Sequence, residues 1–253
     1  MSTTGSSLGD SAIMLRRNFK HTVRNPTAVF NAILFPVVIM VMFVYVLGDA
    51  FSVGDDYVDY ATPGMILLAV CYGLGATATA VNSDMTKGVI KRFKVMDVSR
   101  GAVLTGHLVA SMLNNLIAIV AIIGTAFLLG FRASGSLLDW LGVVGVVVLI
   151  SFAVGWLTVA LGLSAKTVET AGLATVPLIM LPFFSSAIVP ADKMGAGVRQ
   201  FAEYQPFTPM IETLRGLLAG APSAGDAIAA IAWCVAIALV GYLWAIATFK
   251  RRA

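Results

Sequence analysis

Six long apolar runs alternate with short polar connections along the chain, at residues 29–47, 62–81, 104–129, 137–163, 171–189 and 228–249. Each is close to or above the roughly 20 residues that an α-helix needs to cross a hydrocarbon core of about 30 Å. Within them Lys, Arg, Asp and Glu are nearly absent, Asp139 at the start of the fourth being the exception. The pattern predicts an all-α membrane protein with six transmembrane helices, built as one domain over residues 1–253. Pro36, Pro177 and Pro182 fall inside runs, where neighbouring helices can satisfy a freed carbonyl. The first run is longer than the apolar core of a signal peptide and five more follow, so it is read as a retained helix.

Three segments outside the runs carry a helical periodicity of their own. In "NSDMTKGVIKRFKVMDVSRG", Met85, Val89, Phe93 and Met96 share one helical face, while Lys87, Lys91 and Lys94 lie on the other and Arg92 falls near the apolar side. An amphipathic helix of this kind suits either a bilayer surface or a groove on a soluble partner, and periodicity alone does not choose. In the N-terminal segment, residues 8–25, a stripe of Leu8, Ala12, Leu15, Phe19 and Val23 is set apart from Arg16, Arg17, Lys20 and Arg24, with Ile13 and Met14 off the stripe. Pro26 disfavours helix at Asn25 and separates this segment from the first run. A basic amphipathic helix in that position is interfacial, drawn to anionic lipid.

The third segment is residues 190–227. Thr208 is expected as a helix N-cap, Pro209 as the first helical residue and Gly220 as the stop. Met210, Leu214, Leu217 and Leu218 form the apolar side, with Glu212 and Arg215 on other faces. The stretch is too short to span and is expected to be half-inserted or interfacial. Gly216 and Gly220 form a GxxxG, which reads either as a packing motif or as a helix ending.

Composition sharpens this picture. The chain is 58% hydrophobic and 12% charged, with a mean hydropathy of +0.90, which excludes an ordinary soluble domain. The net charge of +4 sits in short segments between apolar runs, a topology signal that excludes nucleic acid as the partner. Arg16, Arg17, Lys20 and Arg24 precede the first run; Lys87, Lys91, Arg92, Lys94 and Arg100 follow the second. Lys166 follows the fourth run, and Lys250, Arg251 and Arg252 end the chain. The alternate connections hold only Arg132, Lys193, Arg199 and Arg215, and the first of them, "GDAFSVGDDYVDY", has four Asp and no base. The positive-inside rule therefore places both termini and the basic connection in the cytoplasm. Cys71 and Cys234 lie in different runs without disulfide or metal spacing, and are read as buried thiols.

The chemistry that is missing narrows the function. No G-x-x-x-x-G-K-[ST] is present, so the chain has no phosphate-cradling loop of that kind. His21 and His107 lie near run ends without metal-ligand partners and are expected to be solvated or interfacial. Nothing suggests a catalytic site: the "RASGS" around Ser134 sits in a short connection and no run has a His at its centre. The mid-run polar residues, Thr77, Thr79, Asn114, Asn115, Ser151, Thr158 and Thr175, are all uncharged, whereas ion-coupled transporters usually place an ionisable group there. Asn114 and Asn115 are expected to face another helix or an aqueous path. Energy for any transport has to enter from elsewhere, and the amphipathic cytoplasmic helices are where it can.

The chain resembles the type-2 ABC exporter permeases, in particular the daunorubicin/doxorubicin-resistance permease branch. Three segments carry the likeness: "LRRNFKHTVRNPTAVFNAILFPVVIMVMFVYVLG"; "YATPGMILLAVCYGLGATATAVNSDMTKGVIKRFKVMDVSRGAVLTGHLVA", with Pro63-Gly64, Asp84, Gly88, Arg92-Phe93, Ser99-Arg100 and Gly106; and "PFFSSAIVPADKMGAGVRQFAEYQPFTPMIETLRGLLAG". The resemblance implies a permease of the bacterial plasma membrane that pairs with a second permease subunit, as homodimer or heterodimer, and with separate P-loop ATPase subunits. ATP and Mg are expected in that partner, with no cofactor bound and no catalysis by this chain. It further implies that residues 84–100 form a coupling helix seated on the ATPase, with Asp84, Lys87, Gly88, Lys91, Arg92, Phe93, Lys94, Met96 and Arg100 as its contact residues. Residues 8–25 are then the interfacial helix, and residues 190–227 match re-entrant helices that close the outer side. The first and fifth runs are expected at the dimer seam, and Thr77, Thr79, Asn114 and Asn115 along the pathway or between helices. The expected cargo is an amphiphilic drug, antibiotic or lipid. Export of a polysaccharide or lipid-linked polymer, or a scaffold that recruits a soluble protein, are the alternatives.

Overall fold

Residues 26–48, 57–86 and 100–252 are described by the computed structural model, and every regular element among them is helical. Helix α1 (Pro26–Met42) begins on a Pro, whose fixed φ suits a first turn, and relaxes into a π turn at Phe43–Leu47. Helices α2 (Tyr57–Tyr72) and α3 (Leu74–Thr86) continue one another across Gly73. Helix α4 (Arg100–Leu128) leads through a short connection to α5 (Leu137–Ser164). The Ser136 hydroxyl accepts from the Asp139 N–H while the Asp139 carboxylate accepts from the Ser136 N–H at 2.8 Å, a capping box. This accounts for the lone carboxylate in the fourth apolar run, which satisfies free N–H groups at a helix start.

The fifth run, expected as one helix over 171–189, is built differently. It is covered by the end of α6 (Val168–Leu173), by α7 (Val176–Met180) and by a 3-10 turn at Leu181–Phe184. Pro177 and Pro182 each remove a donor and crowd a preceding carbonyl, so a continuous helix cannot pass through both without kinking. A 3-10 turn at Ala191–Lys193, α8 (Ala196–Tyr204) and α9 (Phe207–Leu218) precede the last helix, α10 (Ala224–Arg252).

Among the described residues four helical stretches are long and apolar enough to cross a membrane: Tyr57–Thr86, Leu104–Leu128, Leu137–Ser164 and Ala224–Arg251. Leu34–Val46 and Val168–Phe184 are apolar but shorter. Burial separates them by position, with 67% of the most apolar part of Tyr57–Thr86 and 61% of that of Leu137–Ser164 inside the bundle, against 17% of that of Ala224–Arg251. So α2, α3 and α5 form the centre, and α10 is a peripheral strut. Close approach relies on small residues, as expected where lipid removes the hydrophobic drive between helices. A Cβ on Gly241 would stand 2.5 Å from the Leu157 N, and one on Gly162 would stand 2.6 Å from the Ala78 carbonyl oxygen.

Antiparallel packing gives the bundle two ends. At one, α3 stops and α4 starts beside the close of α5, over a cluster of Val81, Leu104, Leu108, Trp156, Leu163 and Phe249. At the other, the 129–136 connection meets α9, with the Ser134 and Gly135 N–H groups both donating to the Leu218 carbonyl at 3.1 Å.

Candidate functional site

The first end carries the connection that leaves α3 and enters α4. Asn82 is fully buried and donates through Nδ2 to the carbonyls of Gly162 (3.0 Å) and Ala165 (2.7 Å). These belong to the last turn and C-cap of α5, where carbonyls lack intrahelical partners, so one helix caps another. Two residues on, the Asp84 carboxylate accepts from His107 Nε2–H at 3.1 Å, tying the close of α3 to the second turn of α4. His107, expected to be solvated or interfacial, is instead only 11% exposed and paired. Sequence spacing could not reveal this, because the two residues meet only once α3 and α4 are antiparallel.

Lys87, Gly88, Lys91, Arg92, Phe93, Lys94 and Met96 lie outside the described residues, as do Arg16, Arg17, Phe19, Lys20 and Arg24 of the N-terminal segment. Arg100 opens α4. Asp84, expected at the start of the coupling segment, belongs to the last turn of α3. The two termini of the basic connection are thus held in fixed register by Asn82, Asp84 and His107.

A second group of polar residues gathers halfway along the bundle. The α2–α3 continuation breaks at Gly73, where a Cβ would stand 2.6 Å from Asn115 Oδ1 on α4. Thr77 donates to Ser111 Oγ at 2.9 Å, a direct bond between α3 and α4. Thr79 spends its hydroxyl on the Gly75 and Ala76 carbonyls of its own helix. Thr175, between α6 and α7, caps back to Gly172 at 2.7 Å and lies 3.5 Å from the Cβ position of Gly75. Two helix breaks therefore adjoin at this level. Of the four expected pathway residues, Thr77 and Asn115 are buried between helices, while Thr79 and Asn114 are half-buried. A narrow cleft lies between α1, α2, α7 and the 3-10 turn that follows it, lined by Phe35, Ile39, Met65, Tyr72, Ile179 and Phe183 and almost entirely apolar. None of the four polar residues lines it.

The opposite end corrects two expectations. Helix α9 starts at Phe207 with Pro206 at its N-cap, two residues before the places assigned to Pro209 and Thr208. The Thr208 hydroxyl instead donates to the Ala202 carbonyl at 2.6 Å, joining α9 to α8. Gly220 does end the helix, at φ +68°, with the Ala221 N–H bonded to Gly216 and its own N–H to Leu217. This is the paired arrangement of a Schellman stop, so the GxxxG is a helix ending.

Arg215, read as one more charge on a face away from the apolar side, points inward. Its guanidinium lies 3.9 Å from the centre of the Tyr60 ring. Nη2 donates to the carbonyls of Ser186 (2.8 Å) and Tyr60 (3.2 Å), and Nη1 pairs with Glu212 one turn earlier. The Tyr60 hydroxyl donates to that same Ser186 carbonyl at 2.8 Å, and Tyr57 reaches Ile188 at 3.2 Å. A signal was present in the sequence: "MIETLRGLL" sets one Glu-Arg pair at i, i+3 among apolar residues, too few charges for a solvated helix. At the surface, the Glu203 carboxylate accepts from Arg199 Nε–H at 2.7 Å, which shifts the Arg199 pKa upward.

Among the described residues no three His, Cys, Asp or Glu side chains stand together as metal ligands, and Cys71 and Cys234 are both buried and free. Among the described residues the architecture thus consists of apolar helices, cross-linked helix ends that flank the basic connection on one side and a polar clasp on the other, with two adjoining helix breaks between.

Comparison with known proteins gives this arrangement a context. The profile of a family described as ABC-2 type transporter matches residues 11–219. The chain is 30% identical over 224 residues to a daunorubicin resistance ABC transporter permease protein of Streptomyces coeruleorubidus, covering 88% of this chain and 77% of that one. It is 27% identical over 237 residues to a probable doxorubicin resistance ABC transporter permease protein of Mycobacterium tuberculosis, covering 92% and 85%.

Proposed function

The chain belongs to the ABC-2 type transporter family and is a multi-pass membrane protein, and from that premise we propose that it is the membrane-spanning permease subunit of an ATP-driven drug exporter. Its cargo is an amphiphilic drug, antibiotic or lipid, in keeping with relatives named for daunorubicin and doxorubicin resistance. It crosses a bacterial plasma membrane six times, the first and fifth apolar runs completing the set, with both termini cytoplasmic. A second permease subunit and P-loop ATPase subunits that bind ATP and Mg complete the machine.

The observation that carries this reading is the frame under the basic connection. A segment present only to orient the chain needs no rigid seat. Here Asn82 binds α3 to α5, and Asp84 binds α3 to α4, directly beside the two chain ends of that connection. A push on the connection is then delivered to α3, α4 and α5 together. On this reading Lys87, Lys91 and Lys94 face an acidic docking groove, and Phe93 and Met96 supply the apolar anchors that hold it.

A pull-down in mild detergent tests the reading, comparing the native chain with a Phe93→Ala, Met96→Ala double variant. Co-purification of a P-loop ATPase with the native chain and its loss in the variant supports the coupling role. Absence of any ATPase from the native preparation refutes it and favours a scaffold. Orientation is checked separately, since cysteines placed at Asp55 and Lys91 should label from opposite sides of the membrane.

A further inference from the structure

We propose that Arg215 is a positioning residue for transport: with Tyr60 it latches the outer end of the bundle, and this latch parts and reforms in each cycle. The inference rests on the exporter reading above, which makes the end opposite the basic connection the outer one.

The latch is a three-part junction. The turn at 185–188 lies flush on α2, because a Cβ on Gly64 would stand 2.3 Å from the Ala187 carbonyl oxygen. Tyr57 and Tyr60 hold that turn from α2 through the Ile188 and Ser186 carbonyls. Arg215 closes over it from α9, bonding Ser186 and Tyr60 carbonyls and covering the Tyr60 ring. Three separate elements therefore meet at a single guanidinium.

What marks the junction as a latch and not a brace is where its charge is balanced. A buried ion pair between two helices leaves an uncompensated charge when they separate, which opposes motion strongly. Glu212 lies on the same helix as Arg215, at i, i+3, so the pair travels intact with α9. Parting the junction breaks the two Arg215 bonds to carbonyls, its cation–π contact and the Tyr60 hydroxyl bond to Ser186, and it strands no charge. Among the described residues Arg215 Nε has no acceptor, so the closed arrangement leaves the guanidinium incompletely satisfied. Both features lower the cost of release.

Tyr60 and Asp84 are joined by the α2–α3 continuation, about 36 Å apart along the helix axis at 1.5 Å per residue. Motion received at the Asp84 end reaches the latch through that strut. The latch opposes opening, and the free energy that breaks it comes from nucleotide binding to the partner. By linkage, weakening the latch then lowers the nucleotide requirement by the same factor.

The test uses the complex with its co-purified ATPase in lipid nanodiscs. Ser186→Cys is the reporter, since its hydroxyl is buried without a protein partner. Labelling by a membrane-impermeant thiol reagent is followed while a non-hydrolysable ATP analogue with Mg is titrated. The chain without that substitution supplies the background, its two cysteines being buried. The reporter is expected to label slowly without nucleotide and faster with it. Arg215→Ala should lower the half-maximal nucleotide concentration about five- to tenfold, with a smaller decrease for Tyr60→Phe, which keeps the ring and loses only the hydroxyl bond. If Arg215→Ala does not assemble with the ATPase, Tyr60→Phe alone carries the test, and an unchanged midpoint there overturns the latch. A reporter whose labelling ignores nucleotide in an active ATPase complex overturns the latch and leaves the exporter reading intact. Failure of any ATPase to co-purify removes both.

Discussion

Asn82 offers the sharpest check on the frame at the coupling end. Its Nδ2 makes two hydrogen bonds to carbonyls at the close of α5, and its side chain has no solvent exposure. Replacing it with Leu keeps the branched skeleton and removes both bonds, in a somewhat larger side chain. Net values of about 0.6–1 kcal/mol each give a loss of about 1–2 kcal/mol. Part of this is offset, because Asn82 Oδ1 has no partner and disappears with the amide. Asn82→Asp is the informative variant, since it keeps shape but sets an acceptor where a donor stood, facing two carbonyls in a dry site. That leaves an uncompensated buried charge, which costs about 3–5 kcal/mol unless the group protonates. At roughly 2–4 °C per kcal/mol for a chain of this size, Leu should lower the melting temperature by a few degrees and Asp by about 10 °C. A fluorogenic thiol dye suits the assay, because Cys71 and Cys234 are both buried and free and become reactive on unfolding. If Asp melts no lower than Leu at alkaline pH, where the carboxylate is charged, the amide is not capping α5 and the proposed rigid seat for the basic connection loses its main support.

Three further outcomes follow from the same packing. Gly241→Ala forces a methyl against the backbone of α5 and should destabilise by about 1–3 kcal/mol, whereas Gly145→Ala, with nothing within 4 Å, should be neutral or stabilising by up to about 1 kcal/mol; equal melting temperatures would contradict the close α5–α10 contact. Asp84→Leu and His107→Leu should each weaken ATPase co-purification, and the double variant should be no worse than the poorer single one, because either change breaks the same bond; additive losses would show that the pair does not act as a unit. Ser136→Ala should cost about 1 kcal/mol through the lost cap of α5, with Ser136→Asn losing far less, as read by the same melting assay.

Local features could be read from the order of residues alone. Apolar runs long enough to cross a bilayer announce themselves, because no soluble core would use them. Gly220 stops α9 for the reason visible in sequence, since a left-handed backbone favours the residue without a Cβ. Cys71 and Cys234 were legible as buried thiols from their apolar neighbours. The start of α9 was not legible: Thr208 has the right chemistry for an N-cap, but its hydroxyl is drawn to Ala202 by the tight turn between α8 and α9.

What the tertiary structure alone decided is which face of each helix meets another helix. In water a polar stripe marks the outside, but in lipid the outward face is as apolar as the core, so hydrophobic pattern cannot separate α5 at the centre from α10 at the edge. Only the glycines that allow backbone approach, and the few polar groups that must find partners, distinguish them. Those partners lie far apart in the chain: Asn82 with Gly162, Asp84 with His107, Arg215 with Tyr60 and Ser186. Sequence determined that the chain is membrane-embedded, helical and asymmetric in charge, because length and composition act locally. The pairing of the ends, the adjoining breaks at Gly73 and Thr175, and the inward turn of Arg215 arise only when antiparallel helices bring distant donors and acceptors together.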